Sequence, residues 1–268
     1  MQGKKSVLAS ITRCKLLLTS GQGVTLAALA SALGCAAPPQ MVSQRITGTA
    51  CLTILYVNGD DVSFDYDYYR DNHLTLIMDL YGRDAIRRFE LRKPLEVDGQ
   101  PAPPYVAAIN IWINDAEAFA AAGAQHGATL QADVPNFTNT SLVVQNETVW
   151  GEASHNLYST ELGQTCLTIL YPYEEGARWD ADYYRDNHIT LIMDLYDTGA
   201  IRRIDARKAD PLPEGYPPFL GTVNIYIENQ VFFDAINARE AETLLADLPN
   251  FSSVLPVVIS TEIYGLDS

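Results

Sequence analysis

The sequence predicts an α+β fold in which two tandem β-α-β-β-α-β units, carried on one chain, close together into a single barrel. Three observations predict it. First, Asp65-Tyr-Asp-Tyr-Tyr-Arg-Asp-Asn-His73 is followed 115 residues later by Asp180-Ala-Asp-Tyr-Tyr-Arg-Asp-Asn-His188, and Cys51 and Cys166 keep the same offset. Second, 27 of the 43 aligned positions in 51–93 and 166–208 are identical. Third, each copy carries the same succession of short β-branched runs and helical patterns, and the offset falls to 114 after a proline-rich loop, as Asn110 and Asn224 show. A chain of 268 residues with 47% hydrophobic composition suffices for two such units.

In the first copy, Cys51–Tyr56 reads as a strand of β-branched and aromatic residues, and Asn58-Gly59 marks the turn after it. The helix over 65–81 is entered through Asp65, whose carboxylate can accept from the free amides of the first turn. In the second copy Tyr184, His188, Leu191 and Leu195 fall at i, i+4, i+7 and i+11, which predicts one buried helical stripe that includes the histidine. Strands follow over 85–93 and 106–113, then an Ala-rich helix from Ala116 to about Ala132, stopped by Pro135-Asn136-Phe137, and a fourth strand over 142–151. The second copy gives strand 166–171, helix 180–196, strands 200–207 and 220–227, a helix from Gln230 to Leu245 and strand 256–264. This order is the ferredoxin-like arrangement, whose sheet must bury the face its helices leave bare. The predicted domains are a leader and tether over 1–50, units over 51–151 and 166–268, and a linker over 152–165.

The formal charge of −15 disfavours nucleic-acid partners, because such a body repels phosphate backbones. The first 45 residues reverse that balance, with Lys4, Lys5, Arg13, Lys15 and Arg45 and no acid. With the apolar stretch from Val24 to Leu33 they read as an export signal. Ala32-Leu33-Gly34-Cys35 resembles a lipoprotein processing box, which makes Cys35 the lipidation and membrane-anchoring candidate and favours the cell envelope or periplasm. The competing reading is an N-terminal extension on a cytoplasmic protein. Cys51 and Cys166 read as small buried apolar residues that begin strands.

Strand parity places Ala108, Asn110 and Trp112 on one face of the third strand, matched by Thr222, Asn224 and Tyr226. On the fourth strands the mixed faces are Asn146, Thr148 and Trp150, and Ser260, Glu262 and Tyr264. An apolar-aromatic cavity with a few amides suits a small organic ligand, so Asn110, Asn224, Trp112 and Tyr226 are substrate-binding candidates. His73 and His188 have two readings: core histidines bonded to a backbone group or an aspartate, or general acid/base residues. Tyr69 and Tyr184 stand beside them as possible donors. Arg88 and Arg203 could face a substrate carboxylate or phenolate, or pair with surface acids such as Glu90 and Asp205. No metal-ligand spacing, haem-attachment motif, nucleophile elbow or phosphate loop occurs.

The Leu-Thr-Ile-Leu-Tyr strand, the turn and Asp-x-x-Tyr-Tyr-x-x-x-His resemble the EthD domain family of the dimeric α/β-barrel superfamily, over 51–151 and again over 166–265. The resemblance implies the intramolecular barrel and places the family histidine on His73 and His188, with Tyr69 and Tyr184 beside it. EthD-like domains are associated with degradation of ethyl tert-butyl ether, and related barrels include lyases, isomerases, cofactor-free oxygenases and haem enzymes. The expectation is a small-molecule protein working without a cofactor, with haem the remaining cofactor option, by lyase, isomerase or oxygenase chemistry. The alternative is a non-catalytic binding or accessory protein of the envelope. In either case the chain is expected as a monomeric pseudo-dimer or a higher oligomer.

Overall fold

The computed structural model describes residues 47–97, 99–155, 160–196 and 199–266; Cys35 and the leader up to residue 46 lie outside them. In chain order the elements are β1 (Ala50–Val57), α1 (Tyr66–Tyr68), a π-turn (Tyr69–His73), α2 (Leu74–Ala85), β2 (Ile86–Pro94), β3 (Tyr105–Ile113), α3 (Ala116–Asp133), a 3-10 turn (Val134–Asn136) and β4 (Leu142–Ser154). The second half follows with β5 (Thr165–Pro172), α4 (Ala181–Tyr183), a π-turn (Tyr184–His188), α5 (Ile189–Leu195), β6 (Ile201–Ala209), β7 (Phe219–Ile227), α6 (Gln230–Phe251) and β8 (Val257–Leu266). Within α2 the chain leaves helical geometry at Gly82, whose φ of 72° is the left-handed region that glycine enters without a Cβ clash. α6 runs through Pro249 to Phe251, past the expected stop at Leu245. β4 reaches Ser154 and pairs there with Arg203 of β6, so the expected linker begins as strand.

The eight strands close into an antiparallel barrel in the order β1-β3-β2-β8-β5-β7-β6-β4. The halves meet at two seams, β2 with β8 and β4 with β6. An eight-stranded barrel is just wide enough for side chains to fill it, and the register shows which ones do. Leu55 lies opposite Ala108, Thr53 opposite Asn110 and Gln145, and Cys51 opposite Trp112 and Glu147. The second half gives Leu170 opposite Thr222, Thr168 opposite Asn224, and Cys166 opposite Tyr226. One end is therefore an apolar plug of Leu55, Ala108, Leu170, Phe219 and Ile259. The helices pack on the outside, over the aliphatic face that includes Ile109, Ile111, Ile204 and Ile225.

Behind the plug the interior is charged. Arg92 and Arg207 are fully buried, as are Glu90, Glu147 and Asp205. Arg92 bonds its own Glu90 at 2.6 Å, then crosses to the second half, donating to Thr168 at 3.1 Å, to the Tyr226 hydroxyl at 2.7 Å and to Asn224. Arg207 does the reverse: it bonds Asp205 at 2.9 Å, then donates to Asn110 at 2.5 Å and Thr53 at 3.2 Å in the first half. Burial would push Glu90 up, but the guanidinium groups of Arg92, Arg88 and Arg203 outweigh it and hold the carboxyl far below its ordinary range.

Two sequence expectations are corrected here. On the fourth strands the inward residues are Gln145, Glu147 and Val149, and Ile259, Thr261 and Ile263; Asn146, Thr148, Trp150, Ser260, Glu262 and Tyr264 face outward. Residues opposed across an antiparallel pair share a face, and Thr53 opposes both Asn110 and Gln145. Second, Glu90 and Asp205 do pair with arginines but are buried acids of the barrel core rather than surface acids.

Removing one partner of a buried ion pair typically destabilises by about 3–5 kcal/mol, because the other charge is left uncompensated. Arg92→Met is expected to lower unfolding stability by about that much, and adding Glu90→Gln to recover part of it. Urea unfolding measures both; an unchanged midpoint for the single variant would show that Arg88 and Arg203 suffice to hold Glu90.

Candidate functional site

The histidines are positioned by a local irregularity. Asp65 caps α1 by accepting from the Tyr68 amide at 2.9 Å, and Asp180 does the same for Tyr183. Both helices then widen into π-turns at Tyr69–His73 and Tyr184–His188. One extra residue rotates the rest of a helix by about 100°. The buried stripe after His188 is consequently Ile189, Ile192, Met193 and Tyr196, whereas Leu191 and Leu195, the expected positions, are half-buried. Tyr184 and His188 remain buried as expected.

Each histidine is held by an aspartate from the helix opposite. His188 Nδ1 lies 2.7 Å from Asp247 Oδ2, and His73 Nδ1 lies 2.8 Å from Asp133 Oδ2. Asp247 also accepts from the Tyr183 hydroxyl at 2.9 Å and the Asn250 amide at 2.7 Å; Tyr68 and Asn136 do the same for Asp133. Burial alone would push both carboxyl groups up, but these bonds outweigh it and hold them below the ordinary aspartate value. An ionised carboxylate only accepts, so Nδ1 carries the proton and Nε2 is the nitrogen left with a lone pair. The rings rest against Phe251 and Tyr184, and against Phe137 and Tyr69.

Both histidines line cavities between the helices and the outer face of the barrel. The one beside His188 has a volume of about 450 Å³, with walls of Leu167, Ile192, Ile225 and Leu244 and polar groups at Asn237 and Gln230. The one beside His73 is about 270 Å³. Tyr69 and Tyr184 line these cavities too, their hydroxyls buried and without a well-formed hydrogen bond.

The other sequence candidates lie across the wall. Asn110, Asn224, Trp112 and Tyr226 point into the barrel, where both amides and the Tyr226 hydroxyl are engaged by Arg92, Arg207 or the acids. Arg203 stacks 3.8 Å over Tyr226 and Arg88 3.8 Å over Trp112 at the same end. The structure therefore joins His73 with Tyr69 and His188 with Tyr184, and separates both pairs from the amides and arginines. Sequence reasoning missed Asp133 and Asp247. Their signal was present, since an aspartate stands two residues before each Pro-Asn-Phe, but that motif reads as a helix stop. Burial pushes the Cys51 and Cys166 thiols up to about 12, which leaves them as unreactive core residues.

Burial pushes both histidines below their ordinary value, more than the aspartates raise them. Between that lowered value and the unfolded value of about 6.5, the unfolded chain binds more protons, so stability rises with pH up to about 6.5 and is lost as pH falls through the interval. Urea midpoints measured from pH 7.5 to 5 should therefore fall, and fall less steeply in a His73→Gln, His188→Gln double variant. Equal slopes would show that other groups carry the acid sensitivity.

Residues 59–141, from the turn after β1 to the residue before β4, match the EthD domain. An EthD-like protein from Ralstonia eutropha JMP134 is 30% identical, over 37% of this chain and 90% of its own, with a TM-score of 0.35. A putative monooxygenase from Fusobacterium nucleatum shares the fold at 9% identity, with a TM-score of 0.51 over 84% of this chain and 96% of its own. No curated protein matches. The Tyr-Tyr-x-x-x-His segment falls inside the matched residues, and a relative aligned over 90% of its length retains 30% identity, so the chain belongs to the EthD domain family.

Proposed function

We propose that this protein binds a small, uncharged and largely apolar organic molecule in the cavity beside His188, and that His188 moves a proton on it. The observation that carries this reading is an imidazole fixed in one tautomer by Asp247, on the wall of a mostly aliphatic cavity of about 450 Å³. That volume lies within the range of small-molecule sites. Nε2 takes a proton from the ligand, and Asp247 orients the ring and stabilises the imidazolium that results. A step of this kind opens lyase, isomerase or cofactor-free oxygenase chemistry. Haem fits these residues poorly: the cavity lining holds one carboxylate, Asp234, and no lysine or arginine to pair with propionates. The fold supports the same reading if each half is one ferredoxin-like unit, its sheet ordered β4-β1-β3-β2 or β8-β5-β7-β6, with the pair making a pseudo-dimer in one chain.

The second reading is a binding or accessory protein using the same cavity. It is favoured by the absence of a cation among the residues lining the cavity with His188, which leaves a developing anion little stabilisation. A place at the cell envelope rests on the Cys35 leader alone.

Native mass spectrometry of the full-length protein should show one chain carrying a small organic mass. On the compound so identified, His188→Gln is expected to lower turnover by about 10²–10⁴-fold while retaining binding. Binding without turnover in the unsubstituted protein would establish the second reading. A cavity that retains nothing, in a protein where Ile192→Trp changes no ligand response, would sink both.

A further inference from the structure

We propose that Asn237 determines the specificity of the second-half cavity: it holds the cavity open and selects ligands that carry a hydrogen-bond acceptor, such as a carbonyl oxygen, on an elongated apolar body. This rests on the ligand site proposed beside His188. Asn237 stands where the first half has Gly123, by the offset of 114 that also relates Asp247 to Asp133. Each faces the tyrosine of the neighbouring helix, Tyr196 or Tyr81. A Cβ on Gly123 would come within 3.3 Å of the Tyr81 hydroxyl, so the missing side chain lets that hydroxyl lie close against α3. At Asn237 the gap is bridged by an amide, whose oxygen accepts from the Tyr196 hydroxyl at 2.8 Å.

The cavity volumes follow this difference and not the size of the lining residues. Gln230, Asp234 and Asn237 line the second cavity, whereas the matching Ala116, Ala120 and Gly123 do not line the first. The second cavity, about 450 against 270 Å³, thus reaches along α6 to Asn237 and beyond, where the first stops short of Gly123.

Shape and polarity then define the ligand. Asp247, which holds His188, and Asn237 are ten residues apart on α6, or about 15 Å along the helix. The lining continues past Asn237 to Gln230, so the space is a slot elongated along α6. Leu244 and Leu245 lie between the level of the histidine and that of Asn237, and toward the N-terminal end of α6 the lining carries Gln230, Asp234 and Asn237, with Tyr196 beside Asn237. The amide oxygen is taken by Tyr196, which leaves the amide N–H groups to donate. A ligand acceptor is the group they suit.

The test is calorimetric titration of the full-length protein with 2-alkanones from hexan-2-one to undecan-2-one. One molecule per chain is expected, with affinity rising about fourfold per added methylene until the slot is filled. Asn237→Leu, which removes the donor at similar volume, should weaken every ketone by about threefold to tenfold and leave the length limit unchanged. Asn237→Gly should shorten the limit, because the Tyr196 hydroxyl can then lie close against α6, as that of Tyr81 does against α3. If both variants titrate like the parent, or if no ketone binds the parent, the inference is overturned. Ile192→Trp separates this from the reading it rests on: loss of binding there supports the site whatever Asn237 does, and unchanged binding removes the site and the inference together.

Discussion

Each half of the chain lends an arginine to the other, and this exchange is the constraint on which the rest depends. A buried guanidinium must be both paired and hydrogen-bonded, or it destabilises the fold that contains it. Arg92 has one partner in its own half, Glu90, and completes its bonds with Thr168, Asn224 and Tyr226; Arg207 has Asp205 and completes its bonds with Thr53 and Asn110. Parting the halves would leave both arginines and their acids incompletely bonded, so the two seams have a common reason to stay closed. The same side chains fill the barrel, and the two cavities that hold the histidines lie outside it, under the helices.

The exchange is unequal. On the second-half side, Asn224 donates to Asp205 at 2.9 Å, and the Tyr226 hydroxyl both accepts from Arg92 and donates to Glu90 at 2.8 Å. On the first-half side Trp112 replaces the tyrosine and cannot accept, and the Asn110 amide nitrogen, the Trp112 indole nitrogen and one Arg207 nitrogen have no hydrogen-bond partner among the described residues. Glu90, one methylene longer than Asp205, bonds Arg92, Tyr226 and Thr160 rather than Asn110, its neighbour across the strand pair. Duplicated geometry thus carries different chemistry on its two sides, inside the barrel as well as in the outer cavities.

The order of elements was legible because each rests on local pattern: β-branched and aromatic runs for strands, and an aspartate cap with helical periodicity for the helices. The choice of face was legible only in part. Parity says that Asn110 and Trp112 share a side, and a mixed amide-aromatic face correctly marks the interior there. On β4 the same rule selects Asn146, Thr148 and Trp150, whereas the interior takes Glu147, a carboxylate that belongs inside only because Thr53 and Arg207 arrive from elsewhere in the chain. The π-turn was invisible to a 3.6-residue period. The Asp247 contact joins residues 59 apart, a separation no local pattern reaches.

The wall of the barrel also separates two kinds of consequence. Asn224 and Ile225 are consecutive, yet one is bound into the charged core and the other lines the outer cavity. Substitutions that face inward disturb the ion-pair network, whereas those that face outward disturb the helix-sheet core and, on the proposed function, the ligand site. Outside, α6 is tied to the preceding helical segment at two points, by Asp247 to His188 near one end and by Asn237 to Tyr196 near the other. Two ties about 15 Å apart fix both the width and the tilt of the gap between them, since one tie alone would leave the helices free to rock. On the proposed function, the slot is therefore formed before a ligand arrives, and binding need not be opposed by ordering of the helices. Because the tie at one end is also the bond that sets the histidine tautomer, the contact that fixes the cavity wall also fixes the ring nitrogen proposed to move the proton.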